Sequence, residues 1–250
     1  MTEPTVLILT PMKNAMPVLD SYCRLIETLD WPAAQLAIGI LEGDSSDGTW
    51  EALQPLKARL GARAKRVELF KKDYGFQIPP GLPRWTPAFQ VARRQILARA
   101  RNQLLFRALA DEDYVLWIDA DIVSAPAGAI ATLIGTGFDI VTPNCVTTPG
   151  GPSFDHNAWT DMGERHLSDC RGAGRVRLQS VGGTMLLVRA DLHRDGLIFP
   201  PYRYGNESPH ARPVHPVWGR GEIETEGLAT MALDMGVQPW GLPDFEIVHT

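Results

Sequence analysis

Short apolar runs of strand length alternate with longer amphipathic stretches through the first 141 residues, and that alternation constrains the fold more than any other feature. Residues 6–9 (Val-Leu-Ile-Leu) form the first run. Met16, Leu19, Tyr22, Cys23, Ile26 and Leu29 then recur at helical spacing over 15–29. Residues 36–41 and 67–70 read as further buried strands, separated by a helix predicted over 47–60 that opens on capping-type residues. A Pro/Gly-rich loop over 75–87 leads into a long helix predicted over 88–109, where Phe89, Ile96, Leu104 and Leu105 mix with Arg93, Arg94, Arg99, Arg101 and Arg107. Strands over 114–118 and 138–141 follow. Strands joined by helical crossovers pair in parallel, so the expected fold is α/β with a mostly parallel central sheet.

From residue 142 the regularity gives way to loops rich in Gly, Pro and Asn, with one strand predicted over 184–188 and one helix over 224–235. A chain of 250 residues suits one elaborated domain. It is expected to comprise a regular, ligand-binding half over 1–141 and a loop-rich half over 142–250. With 44% hydrophobic and 21% charged residues the chain is not a disordered one. A net charge of -5 offers no basic field, so nucleic acid is not an expected partner. Cys23, Cys145 and Cys170 are too far apart for a Cys-x-x-Cys site and read as buried thiols. No apolar run approaches the roughly 20 residues of a membrane span, and no basic leader precedes the first strand. The expected location is cytoplasmic.

Chemistry concentrates where strands end. Asp119-Ala120-Asp121 follows Val115-Leu116-Trp117-Ile118, so its carboxylates fall at a strand's carboxyl edge, where open α/β sheets bind ligands. Two carboxylates there need neutralising, and oxygen ligands favour Mg²⁺ or Mn²⁺. Asp111-Glu112-Asp113 precedes the strand instead and reads as a solvated turn. Gly43-Asp44-Ser45-Ser46-Asp47 closes the second strand, with Asp44 and Ser45 able to hold a nucleotide or simply to form an Asx turn with a helix cap. Thr10, Pro11, Lys13 and Asn14 occupy the turn after the first strand. Arg93, Arg94 and Arg101 read as a solvated helix face from which one side chain reaches a phosphate. Gly182 and Gly183 mark a close approach of backbone to a ligand or another segment. Glu222, Glu224 and Glu226 gather at a helix start, which either favours negative charge structurally or places a base or charge stabiliser near a sugar. The loops lack Gly-x-x-x-x-Gly-Lys and Gly-x-Gly-x-x-Gly, which argues against ATPases and dinucleotide enzymes.

These motifs, with Ala98-Arg99-Ala100-Arg101-Asn102, Thr142-Pro143-Asn144-Cys145, Val181-Gly182-Gly183-Thr184, Ile223-Glu224-Thr225-Glu226-Gly227 and Trp240-Gly241-Leu242-Pro243, occur in an order that resembles the fungal Golgi mannosyltransferases of the mannan polymerase group, glycosyltransferase family 62. The resemblance implies a single GT-A (Rossmann-like) domain, a GDP-mannose donor, Mn²⁺, a glycan acceptor and an α-mannoside formed with retention. It implies Asp119, Asp121 and His249 as metal ligands, Asp44 at the nucleotide, and Asn144, Arg101 and the Gly182-Gly183 pair on the substrate side. Asp121, Glu224 and Glu226 are the catalytic candidates. The chain departs from the family in lacking the Golgi enzymes' membrane anchor and in a longer stretch from Tyr204 to Gly221. A non-catalytic subunit of a complex and a sugar-1-phosphate nucleotidyltransferase are the rival readings, and the latter's Arg-containing Gly-rich loop is absent. The chain is expected to act alone or within a homo- or hetero-oligomer.

Overall fold

The computed structural model describes residues 3–79 and 81–250; Met1, Thr2 and Pro80, the last within the predicted 75–87 loop, lie outside the described residues. In chain order the elements are β1 (Val6–Met12), α1 (Leu19–Thr28), β2 (Leu36–Glu42), α2 (Thr49–Gly61), β3 (Arg66–Lys71), α3 (Pro87–Ala108), β4 (Tyr114–Ile118), β5 (Ile122–Ser124), α4 (Ala129–Gly135), β6 (Ile140–Val146), β7 (Trp159–Thr160), β8 (Arg165–His166), β9 (Val176–Arg177), β10 (Met185–Arg189), α5 (Ala190–Arg194), α6 (Glu224–Asp234) and β11 (Trp240–His249). The main sheet runs β3-β2-β1-β4-β10-β6-β11-β5, and β9 adds to β11.

The first four strands of that order are parallel, in register from Val6 opposite Leu36 and Tyr114. Beyond β4 the sheet becomes mixed. β10 is antiparallel to both β4 and β6, and β11 is parallel to β6 but antiparallel to β5 and β9. Parallel pairing therefore holds among β1–β4, where helices connect successive strands, and the strands that the second half inserts pair both ways, β11 parallel only to β6. For the same reason the two sequence halves are one α/β domain, with β10 seated between β4 and β6.

Side chains alternate across the sheet with the period of two that strands impose. Val6, Ile8, Ile38, Ile40, Leu116 and Ile118 pack under α1, α2 and α4, while Leu7, Leu9, Leu41, Val115 and Trp117 face α3 and α6. The result is a three-layer sandwich with strands buried on both faces, which is why the strands read as continuous apolar runs. The 22-residue α3 spans about 33 Å at 1.5 Å per residue and carries its first turns across the carboxyl edge of the parallel strands.

Candidate active site

Because β1, β2 and β4 run in parallel, the turns after Met12, Glu42 and Ile118 open on one edge of the sheet. Antiparallel β10 enters from that edge, with Met185 opposite Ile118, and the Asp119 N–H donates to the Thr184 carbonyl at 3.0 Å. The chain end arrives there by the same logic. β11 places His249 opposite Ile122 of β5, the Thr250 N–H donates to the Asp121 carbonyl, and His249 Nε2 comes within 3.0 Å of Asp121 Oδ2. His249 Nδ1 lies 2.7 Å from the Thr250 carbonyl and the ring stacks on Phe154 at 3.8 Å between centroids. Both ring nitrogens thus face acceptors, an arrangement that suits the imidazolium. Burial alone would lower the pKa of His249, but the bonded Asp121 carboxylate outweighs it and raises it; in turn His249 holds Asp121 below the usual carboxylate range despite burial.

Asp119 has a different partner. Arg101 lies fully buried with Nη2 at 2.9 Å from Asp119 and Nε at 2.8 Å from Glu224, and its guanidinium is covered by the rings of Trp117 and Phe199. Two carboxylates and two aromatic faces replace the water that a buried guanidinium loses. Burial pushes the Asp119 pKa up to about 6 against the opposing pull of Arg101, with Asp121, Asp155 and Glu224 adding to the rise. Glu224 holds φ = 63° at the first position of α6, a left-handed conformation that a non-glycine residue adopts at a cost on the order of 1 kcal/mol. Arg84 approaches Asp121 from the opposite wall at 3.6 Å. Asp119, Asp121, His249, Arg84, Arg93, Arg101 and Glu224 all line one cleft of about 290 Å³.

That cleft continues past Arg84, Arg93 and Leu97 into a second cavity of about 380 Å³. Its walls include Met12, Leu41, Tyr74, Phe76 and Ile78, with Pro11, Lys13, Asn14 and Asp44 at the rim. A mostly apolar cavity with few polar groups is the usual form of a small-molecule site. Asp44 is not a free acceptor there: its carboxylate takes the N–H groups of Tyr74, Gly75 and Phe76 and so folds the 74–77 loop over the cavity. Ser45 and Asn14 bond each other's loops, the Ser45 hydroxyl accepting from the Asn14 N–H and the Asn14 side chain accepting from Ser46. Among the described residues Arg93 forms no ion pair; burial and the nearby Arg84 charge lower its pKa.

Several sequence expectations change in place or role. Thr10 is fully buried against the Tyr22 hydroxyl, inside the helix-covered face and away from the cavity. Asn144 is also fully buried, donating to the Pro243 carbonyl and accepting from Ser153, so it ties β6 to its surroundings and does not border the cleft. Glu226 is buried among Arg94, Arg212, His215 and the Trp159 N–H; burial would raise its pKa, but the His215 hydrogen bond and the charges of Arg94 and Arg212 outweigh it and lower the pKa to about 2. It lines neither the cleft nor the cavity. His215, Glu222 and Glu226 bring ligand atoms within 4.8 Å of one another, but Arg212 and Arg94 already supply the positive charge. Asp119, Asp121 and His249 do not converge to that degree, because Arg101 holds Asp119 to its own side. Gly182 and Gly183 do mark a close approach, to protein side chains: a Cβ on Gly182 would strike the Asp155 carboxylate and one on Gly183 the Arg101 guanidinium. Glu112, expected in a solvated turn, is buried and paired with Arg66. Asp155, Arg84 and Trp85 were not singled out from sequence; only the glycine pair signalled that something must crowd that strand start.

The match to known proteins bears on the same residues. The model of the family described as Anp1 matches residues 1–171 and 162–203. The chain belongs to the Anp1 family. Among the relatives of this Anp1-family chain, the mannan polymerase complex subunit MNN9 of Candida albicans is 28% identical over 98% of this chain and 74% of its own length. The vanadate resistance protein of the same species is 31% identical over 74% and 47%. A region covering 56% of the chain is 28% identical to the human inactive glycosyltransferase 25 family member 3, over 23% of that protein. Among solved structures, a mannosyltransferase from Pyrobaculum calidifontis in complex with GDP-Man and Mn²⁺ superposes with a TM-score of 0.61 at 19% identity, covering 99% of this chain and 57% of that one. GalNAc-T7 with UDP, GalNAc and Mn²⁺ gives a TM-score of 0.60 at 12% identity, over 98% and 44%. The fold is that of GT-A glycosyltransferases, and the curated relatives include mannan polymerase subunits. No helix among the described residues is long and apolar enough to cross a membrane.

Proposed function

We propose that this protein is a metal-dependent mannosyltransferase that moves mannose from GDP-mannose to a hydroxyl of a glycan acceptor with retention of configuration. The observation that carries the reading is the pairing of Asp121 with His249 at 3.0 Å on the floor of a cleft that opens into an apolar cavity. A carboxylate oxygen and an imidazole nitrogen facing each other across a shared proton suit Mn²⁺ or Mg²⁺ once that proton leaves, and Asp119, held by Arg101, is a second carboxylate lining the same cleft. When bound, the cation offsets the charge of the departing diphosphate. The protein's own residues do the rest. The cavity beside Asp44 takes the nucleoside, with Tyr74 and Phe76 as ring-sized walls and Gln77 at its edge. Arg93, without a carboxylate partner, and Arg84 stand between cavity and cleft, where a diphosphate joins nucleoside to sugar. Arg101 fixes Asp119 and Glu224 toward the sugar and supplies charge that costs no rearrangement during reaction. As the bond from the sugar's anomeric carbon to phosphate breaks and that to the acceptor oxygen forms, the acceptor proton passes to a leaving phosphate oxygen.

The kinship to a protein named an inactive glycosyltransferase, and to proteins named as complex subunits, supports a second reading in which the chain binds a nucleotide sugar without turning it over. GDP-mannose hydrolysis in the absence of acceptor separates the two. The transferase reading expects slow, Mn²⁺-dependent release of mannose that Asp121→Asn abolishes, together with the metal-dependent part of GDP affinity in calorimetry. Intact GDP-mannose after long incubation with tight binding supports the subunit reading, and a preference for UDP-sugars overturns the donor assignment alone.

A further inference from the structure

Of the large apolar side chains on the surface, Trp85 is the most exposed, at 72%. It lines the cleft that holds Asp119, Asp121 and Glu224, but it is absent from the lining of the neighbouring cavity beside Asp44. An indole that much in water forgoes the burial that ordinarily stabilises a tryptophan, and among the described residues no ring or cation covers its face.

The backbone beneath it is nevertheless fixed. Thr86 N–H donates to the Pro83 carbonyl at 3.0 Å, and the buried Gln90 amide donates to the Arg84 carbonyl at 2.6 Å, so residues 84–86 are tied to the first turn of α3. Pro87 at the helix start stiffens the same point. His156 and Asn157 line the same cleft with polar edges, the Asn157 carbonyl oxygen accepting from Arg94 and its amide group left to donate. An exposed indole on a tethered stretch of backbone, in one cleft with hydrogen-bonding groups, matches the two-sided character of a pyranose, whose axial C–H face stacks on an aromatic ring while its hydroxyls bond laterally.

We propose that Trp85 is the platform for the acceptor, stacking the pyranose ring whose hydroxyl is to be glycosylated, with Asn157 and His156 orienting that ring's hydroxyls. This rests on the transferase reading for the identity of the cleft, and it assigns the cleft's outer wall to the acceptor because Trp85 borders the sugar end of the site and not the nucleoside cavity.

The test compares wild type with Trp85→Ala and Trp85→Phe, using α-linked mannobiose as the probe. Trp85→Ala is expected to raise the acceptor KM in transfer about tenfold and to weaken mannobiose binding measured by calorimetry with GDP and Mn²⁺ present by a similar factor, the scale of one lost aromatic contact. GDP affinity should stay at the wild-type level, and Trp85→Phe should recover most of the loss. Unchanged mannobiose binding in Trp85→Ala overturns the proposal, and so does a matching loss of GDP affinity, which would move Trp85 to the donor. A wild type that binds mannobiose without hydrolysing GDP-mannose refutes the transferase reading alone, and the calorimetric comparison still decides on Trp85.

Discussion

Glu224 and Glu226 stand two residues apart at the start of α6, yet they meet opposite surroundings. Glu224 lines the cleft and bonds Arg101, whereas Glu226 is enclosed by Arg94, Arg212, His215 and Trp159 and lines neither the cleft nor the cavity. Removing one member of a buried ion pair costs about 3–5 kcal/mol because its partner is left charged and dry. Glu226→Gln should therefore lower Tm by about 10 °C while turnover of the folded enzyme at 20 °C stays within about threefold of wild type. Glu224→Gln should instead lower turnover at least about tenfold, measured where circular dichroism shows the variant folded. The reverse pattern would exchange their roles. The sequence revealed three closely spaced glutamates but not this division, since the arginines that decide it lie 132 residues upstream of Glu226 at Arg94 and in the loop at Arg212. Nothing local distinguishes a carboxylate that caps a helix from one that neutralises a distant cation.

Two elements carry most of the site, and they were unequally legible. The span of α3 followed from its pattern almost to the residue, but its arginines were read as a solvated face. Gln90, Arg94, Leu97 and Arg101 in fact recur at the spacing of one helical stripe and line the cleft, and Arg101 is 1% exposed. A charged residue reads as solvated unless its counter-charge is visible, and Asp119 and Glu224 reach it only through the sheet and α6. For β11 the opposite holds: the family resemblance pointed to His249, while the ten-residue strand that delivers it was not read from the pattern, because Gly241 and Pro243 interrupt it. β11 is held along its length by β6 and at its start by β9. Deleting His249 and Thr250 removes the terminal bonds to β5 and Asp121 and the ring stacked on Phe154, so Tm should fall by about 5 °C while β6 keeps β11 in place, and Mn²⁺ affinity in the presence of GDP should fall at least about tenfold by calorimetry. Unchanged Mn²⁺ affinity in the truncated chain would remove His249 from the metal site.

At the scale of the whole molecule, the alternation of runs correctly announced the parallel part of the sheet, because helical crossovers between β1, β2, β3 and β4 leave little topological choice. The insertion of β10 and β11 was hidden, since pairing between strands far apart in the chain leaves no periodic trace. That insertion brings α5 under the sheet directly after β10 and buries His193 among Trp117 and Phe199. Its Nδ1 lies 2.7 Å from the Leu197 carbonyl, which a neutral ring satisfies by donating from Nδ1, and burial pushes its pKa down from 6.5 to about 4. On unfolding the imidazole regains its ordinary pKa, so between pH 6.5 and 4 the unfolded chain binds a proton that the folded one refuses. Stability from this group is complete above pH 6.5, declines as the pH falls through that window, and is constant below 4. A shift of this size corresponds to about 3 kcal/mol over the window, or roughly 1 kcal/mol per pH unit. Replacing His193 with Phe keeps an aromatic ring against Trp117 and removes the titration. Urea unfolding of both proteins in EDTA at pH 7, 6, 5 and 4 should show the wild type losing stability more steeply than His193→Phe by about that slope, the contributions of all other groups cancelling in the difference. Parallel profiles would mean that His193 takes up its proton in the folded state, and that the Trp117–Phe199 layer admits a charge which its burial argues it should exclude.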